Sequence, residues 1–216
     1  GVCFDTSVIL VGTNAGVLAS TNGGSSFTVL PLTGIPQNEA IVSFCGARLG
    51  SVLRLYCVTL NRADVYAGVT GAEHDGYRSV YTIEYGQVGW VPRINGIPSG
   101  MHPFHVATAR ATPSVAYLAG GSSAGTPTVL RTTDGGVLWT PVFLTANNQN
   151  IATGWSGDGG DRGWSYGEYV LGLAVAPGDA QRVAITDLGF VHVTTNGGAL
   201  WTQAYVNPLA QNPSGS

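Results

Sequence analysis

Short apolar runs broken by glycine and small polar residues fill the chain, and none of them follows a helical period. "VILVG" (8–12), "LRLYCVTL" (53–60) and "YVLGLAVA" (169–176) are each the size of a strand. Threonine, serine, asparagine and glycine crowd the stretches between such runs, which predicts short strands joined by tight turns. Near the end the order is legible in full: "YVLGLAV", "PGD", "QRVAIT", "DLG", "FVHVTT", "NGGA", "LWTQAY". The stretch "FHVATA", "TPS", "VAYLAG", "GSSAGTP", "TVLRTT", "DGGV", "LWTPVF" falls into step with it.

An aromatic residue closes the last turn of each such unit, at Phe27, Trp90, Trp139 and Trp201, so the pattern recurs every fifty to sixty residues or so. The second unit reads "IVSFCG", "LRLYCVTL", "SVYTIEY", "GWVPR", with its last turn reduced to "GQ". The first is the shortest: "GVCF", "VILVG", "GVLAS", "SFTVL". Four units of four antiparallel strands, at about 1–31, 40–92, 103–143 and 168–206, describe blades of an all-β propeller. The clipped first unit and the tail "NPLAQNPSGS" imply a larger ring, with blades from another chain or from a remainder of this one. A self-closed four-bladed ring is the alternative.

Three of the closing turns share a formula: "STNGGSSF" (20–27), "TTDGGVLW" (132–139) and "TTNGGALW" (194–201). The side chain of Asn22, Asp134 or Asn196 is expected to accept from backbone N–H groups two or three residues ahead, closing an Asx-turn. Glycine supplies the positive φ that the turn needs, and Phe27, Trp139 or Trp201 then buries its ring between neighbouring blades. These stretches resemble the Asp-box, or BNR, repeat of sialidase-like propellers, a group that includes sialidases, two-propeller xyloglucanases, sortilin-like receptors and photosystem assembly factors. The resemblance implies that the boxed turns are structural and lie on the side away from any ligand.

The opposite face, where strands two and three and successive units are joined, then carries the insertions, 61–77 and 144–167, and long loops in a compact fold usually serve function. The longer one holds Trp155, Asp158, Asp161, Arg162, Trp164 and Tyr166, with Glu168 opening the next strand. Aromatic faces beside carboxylates suit a sugar ring; the plainer reading is a polar lid packed on itself. "SGDGGDRG" offers Asp158 and Asp161 to Ca²⁺ without EF-hand spacing, and no other cofactor is indicated. The other insertion carries Asp64, Glu73, His74 and Asp75, which serve as acid, base or ligand groups or simply as a solvated tip. His102 and His105 are spaced for a metal, but Pro103 is expected to leave one in a loop and the other in a strand, so no metal site is assigned.

Asp187, in "AITDLGFVHVTT", falls on the same face. The stretch is similar to the strand–Thr–Asp–x–Gly–strand element that bears a catalytic Asp in xyloglucanase-type propellers, which implies a pair of Asp187 with Asp158 or Asp161 for glycoside hydrolysis. The alternative is that Asp187 only caps its turn. The Arg-Ile-Pro element of sialidases is missing, and "PRING" (92–96) does not replace it, so sialidase activity is disfavoured.

Composition narrows the partners. There are nine Arg, no Lys and twelve acidic residues, for a net charge of -3, which leaves no basic field for nucleic acid or a membrane surface. No apolar run reaches spanning length, so the chain is expected to be soluble and, given its sparse charge and propeller pattern, extracellular or periplasmic. It opens on "GVCFD" without a readable targeting signal and is taken as a mature or excised piece. Cys45 and Cys57 flank a turn near Gly50 and would face each other if the strands paired about Ser51; a disulfide and two buried thiols both fit, and Cys3 is left over, free or paired outside the chain. Two functions remain: a secreted module that binds a protein or glycan through its long-loop face, and part of a glycoside hydrolase.

Overall fold

The computed structural model describes residues 1–66, 76–145, 149–152, 169–187 and 190–203 of the chain. They form four sheets, in each of which four antiparallel strands follow one another in chain order. Blade 1 comprises β1 (Val2–Phe4), β2 (Ile9–Thr13), β3 (Gly16–Ser20) and β4 (Thr28–Leu30). Blade 2 comprises β5 (Glu39–Leu49), β6 (Val52–Asn61), β7 (Tyr77–Glu84) and β8 (Val91–Pro92), with a short helix α1 (Arg62–Tyr66) after β6 where the sequence suggested only loop. Blade 3 comprises β9 (Met101–Thr108), β10 (Ala116–Ser122), β11 (Pro127–Thr132) and β12 (Thr140–Pro141). The incoming linker of blade 4 supplies β13 (Ile151–Ala152), which runs parallel to the blade's outer strand; β14 (Gly172–Ala176), β15 (Asp179–Thr186), β16 (Val191–Thr194) and β17 (Trp201–Gln203) complete the blade.

Three apolar layers hold the four sheets together. Between blades 1 and 2, Leu10, Val17 and Ala19 meet Leu53, Leu55, Cys57 and Tyr81. Tyr56, Val58 and Val80 turn the other way and meet Val106, Leu118 and Leu130 of blade 3. Tyr117, Ala119 and Val129 then meet Val183 and Ile185 of blade 4. Successive residues of a strand point to opposite faces. A sheet covered on both faces therefore reads as an unbroken apolar run, which is why "LRLYCVTL" shows no alternation. The inner strands fan against one another, β1 and β2 on β5, β5 on β9, and β9 on β14. The arc is open: Phe4, Phe27 and Val29, on the outer face of blade 1, are exposed, so the self-closed four-bladed alternative is set aside.

The boxed turns are built almost identically. Thr132 donates its hydroxyl to Asp134 Oδ1 (2.7 Å) and accepts the Gly136 N–H (2.9 Å), while Asp134 Oδ1 accepts the Leu138 N–H (3.0 Å). Thr194, Asn196, Gly198 and Leu200 repeat these contacts, as do Ser20, Asn22, Gly24 and Ser26. The accepted amide lies four residues ahead of the Asx rather than two or three. Paired positive-φ glycines, such as Gly135 (79°) and Gly136 (88°), curl the chain back that far. The leading Ser or Thr carries as much of the turn as the Asx does.

The cysteine register differs from the expected one. Leu49 pairs with Val52, so Cys45 faces Tyr56, and Cys57 faces Phe44. A half-residue offset of the turn centre is enough to place the two thiols on opposite faces: Cys57 in the layer toward blade 1, Cys45 in the layer toward blade 3. They cannot be joined, and Cys3, Cys45 and Cys57 are all free thiols.

Candidate functional site

Because the strands alternate in direction and the boxes join third to fourth strands, the second-to-third turns and the blade linkers emerge together on the other face. Among the described residues that face carries two buried carboxylates, Glu39 and Asp187, each set between blades.

Asp187 ends β15 and is bound into its own turn. Its Oδ1 accepts the Phe190 N–H at 2.7 Å, and its N–H donates to the Phe190 carbonyl at 3.0 Å. Its Oδ2 lies 3.2 Å from Nε2 of His192, a wholly buried residue whose ring meets Phe143 of blade 3 edge-on at 5.1 Å. The register sets Gln203 opposite His192, so an acid, an imidazole and an amide line the blade 3–blade 4 seam. Asp187 is 7% exposed. Its bond from the Phe190 N–H caps the turn.

Glu39 was not singled out from sequence. It opens β5, and its carboxylate accepts the hydroxyls of Thr59 and Tyr81, the latter at 3.1 and 3.2 Å. Burial, then the neighbouring Glu39 charge, pushes the Tyr81 phenol up to about 12. Tyr77, also held up by burial, and His102 meet edge-on at 6.0 Å nearby. A lone acid at the start of an apolar strand carries no motif, and only the folded register shows its partners.

Beside Glu39 opens a cavity of about 720 Å³, lined by Ala15, Leu32, Pro36, Gln37, Glu39 and Arg62. Arg62 is committed to the linker, donating to the carbonyls of Gln37 (3.0 Å) and Glu39 (3.2 Å). A smaller apolar cavity of about 280 Å³ lies over Trp90, beside Leu55, Ile83 and Tyr85, where the blade 2 turn lacks the box sequence.

Both His102 and His105 lie within β9, which a bulge between Ala119 and Gly120 of the partner strand accommodates; neither is a loop residue. Burial lowers the His105 pKa against hydrogen bonds to the Leu171 and Val170 backbone. Among the described residues no three His, Cys, Asp or Glu side chains gather as a metal site. Asp64 accepts from Asn61 at 2.9 Å in the first turn of α1. Trp155, Asp158, Asp161, Arg162, Trp164, Tyr166, Glu168, Glu73, His74 and Asp75 lie outside the described residues.

Of the box aromatics, Trp139 and Trp201 are buried and reach the preceding blade, their indole N–H groups donating to Arg93 O (2.9 Å) and Val142 O (2.7 Å). Phe27 departs from expectation at 42% exposed, because none of the described residues forms a blade over it. Sequence reading also missed two tyrosine bolts: Tyr56 donates to Pro113 O of the next blade, and Tyr117 to Ala180 O of the one after.

No family model and no curated protein sequence matches the chain. Solved structures do. An ancestral GH74 enzyme superposes with a TM-score of 0.58 at 16% identity, over 94% of this chain and 23% of its own. The GH74 xyloglucanase from Xanthomonas campestris gives 0.61 at 17%, over 93% and 28%. The major Malassezia sympodialis allergen Mala s 1 gives 0.58 at 12%, over 96% and 62%. The chain spans about a quarter of the two GH74 chains. At such identities the likeness is one of fold, and no helix among the described residues is long and apolar enough to cross a membrane. Four-stranded blades and these superpositions agree: the chain has a β-propeller fold similar to that of the GH74 xyloglucanase.

Proposed function

We propose that this chain is an extracellular Asp-box propeller module that binds a protein or glycan partner through its long-loop face without turning it over. The observation that carries the reading is the state of Asp187: its carboxylate is spent on the Phe190 amide and the buried His192 rather than presented to solvent. A general acid or nucleophile must reach the scissile bond. Glu39 is likewise enclosed by Thr59 and Tyr81. The cavity beside Glu39 gives the loop face room for a partner, and the sequence of the insertion 144–167 offers aromatic residue types that suit one.

The second reading is part of a glycoside hydrolase resembling xyloglucanases, favoured by the position of Asp187 at a strand end on the loop face. Soluble β-glucans assayed for new reducing ends and, in parallel, for retardation of the protein in affinity electrophoresis separate the two. Retardation without turnover, unchanged in Asp187→Asn, supports the module. Turnover that Asp187→Asn abolishes while the fold survives supports the hydrolase and ends the binding-only reading.

A further inference from the structure

The chain exposes two end faces, and they are complementary to each other. Cross-strand pairing puts the blades in a common frame: Phe4–Ile9–Ser20, Gly46–Leu55–Ile83, Thr108–Ala116–Thr132 and Val175–Val183–Thr194 are equivalent rows. In blades 2, 3 and 4 the near face of each row packs on the preceding blade. In blade 1 that face carries Val2, Phe4, Ile9, Val11, Leu18, Phe27 and Val29, of which Phe4 is 68% and Val29 69% exposed. Isolated surface apolar residues need no explanation, but a contiguous patch of this kind marks an interface.

Two specific contacts recur at every internal seam and another at the two seams that carry a box, and blade 1 has its half of each unfilled. First, the aromatic backbone N–H donates to the preceding linker, Trp90 to Thr33 O, Trp139 to Asn95 O and Trp201 to Asn150 O; Phe27 has no such acceptor among the described residues. Second, the box glycines are covered by an arginine of the preceding blade. Arg54 lies against Gly135 and Arg131 against Gly197, whereas a Cβ at Gly23 would meet nothing within 4 Å. Third, the buried aromatic side chain has a blade to sit on, which Phe27 lacks.

Blade 4 carries the matching halves on its far face. In the common frame Arg182 occupies the place of Arg54, one residue before the row. Its side chain is 64% exposed and, among the described residues, pairs with the half-exposed Asp179. One residue after the row, where blades 2 and 3 have Tyr56 and Tyr117, blade 4 has Ala184, beside the exposed Ala174. A small far-face residue thus stands where the bulky near-face Phe4 would arrive.

We infer that blade 1 of one copy docks on blade 4 of a second copy, with Arg182 over the Gly23–Gly24 turn and Phe4 against Ala184. The contact is heterologous, and a heterologous contact gives a ring when its rotation closes. Two copies of four blades make eight, within the range of known propellers. This association does not depend on the ligand reading above.

Sedimentation of the full chain across micromolar concentrations tests it, with circular dichroism confirming the fold of each variant. A two-copy mass is expected. Phe27→Asp and Arg182→Glu, both at exposed positions, should each raise the dissociation constant at least tenfold. Mixing the two variants should restore a heterodimer, because one blade 1–blade 4 seam in the pair is then intact. A chain that stays monomeric, a mass that keeps climbing with concentration, or a dimer indifferent to both substitutions overturns the inference, as does a mixture that fails to reassociate.

Discussion

The indole Nε1 of Trp201 donates to the main-chain carbonyl of Val142 at 2.7 Å, tying the box of blade 4 to the outer strand exit of blade 3. The ring itself is wholly buried and stacks edge-on against Phe143 at 5.4 Å. One side chain thus closes a hairpin and clamps two blades, and Trp139 does the same one blade earlier.

Trp139→Ala and Trp201→Ala should each lower unfolding free energy by about 3–5 kcal/mol, the usual cost of emptying a large aromatic site. Phe27→Ala, at the same place in an uncovered blade, should cost under about 1 kcal/mol in the monomer. Urea denaturation followed by tryptophan fluorescence measures all three; equal costs at the three positions would contradict the uncovered state of blade 1.

Asp134 is the one box residue of the three that titrates. The Thr132 hydroxyl chiefly, opposed by burial and helped by the Leu138 and Val137 amides, holds its pKa below the ordinary 3.8. The stabilisation this brings is complete above the unfolded pKa and is lost as pH falls through the lower folded one. Asn22 and Asn196 fill the same role uncharged. Asp134→Asn should therefore leave the melting temperature near neutrality almost unchanged and flatten its decline below about pH 4. Thermal melts of both proteins over an acid series read the difference.

Asp5 gives an acid-side slope of the same sign from a different cause. Arg48 grips its carboxylate with two bonds of 2.9 and 2.8 Å, joining the first turn of blade 1 to β5 of blade 2, and lowers its pKa. Arg48→Ala should remove that inter-blade pair and cost about 1–3 kcal/mol at pH 7, since the Asp5 side chain is largely buried. The loss should shrink as pH falls through the range where Asp5 protonates in either state.

The fold was legible because its signals repeat. Asn22, Asp134 and Asn196 mark the same turn three times, and Trp139 and Trp201 mark the same seam, so each occurrence supports the others. What repeated less was read less well. The Cys45 and Cys57 alignment turned on the exact centre of one hairpin, which sequence locates to within a residue while the pleat demands better. Glu39, Tyr56 and Tyr117 act across blades, and a partner several dozen residues away leaves no local trace. Phe27 looked like its counterparts because exposure belongs to the neighbour, not to the residue.

The thiols supply a direct check of the corrected register. Burial pushes the Cys3 pKa up to about 11 and raises those of Cys45 and Cys57 as well. The thiolate is the reactive form. A disulfide reagent at pH 8 should label the native protein slowly and all three cysteines quickly once it is unfolded without reductant. Two of the three failing to react after unfolding would mean that a disulfide exists after all.

Glu39 and Tyr81 allow a sharper measurement, because the phenol reports on its partner. Desolvation is the first cause of its raised pKa, near 12, and the Glu39 charge the second. Glu39→Gln removes the second and keeps the first, so the Tyr81 ionisation seen by ultraviolet titration should move down yet stay above that of a free tyrosine. The same change gives the Thr59 and Tyr81 hydroxyls an amide in place of a double acceptor, leaving one donor mismatched in a buried site at about 1–3 kcal/mol. Tyr81→Phe alone should cost less, since the Thr59 bond to Glu39 remains. In the double variant the two losses should fall short of their sum, as expected for groups sharing one hydrogen-bond network. Full additivity, or a Tyr81 ionisation that does not move, would show that the carboxylate and the phenol are not in contact.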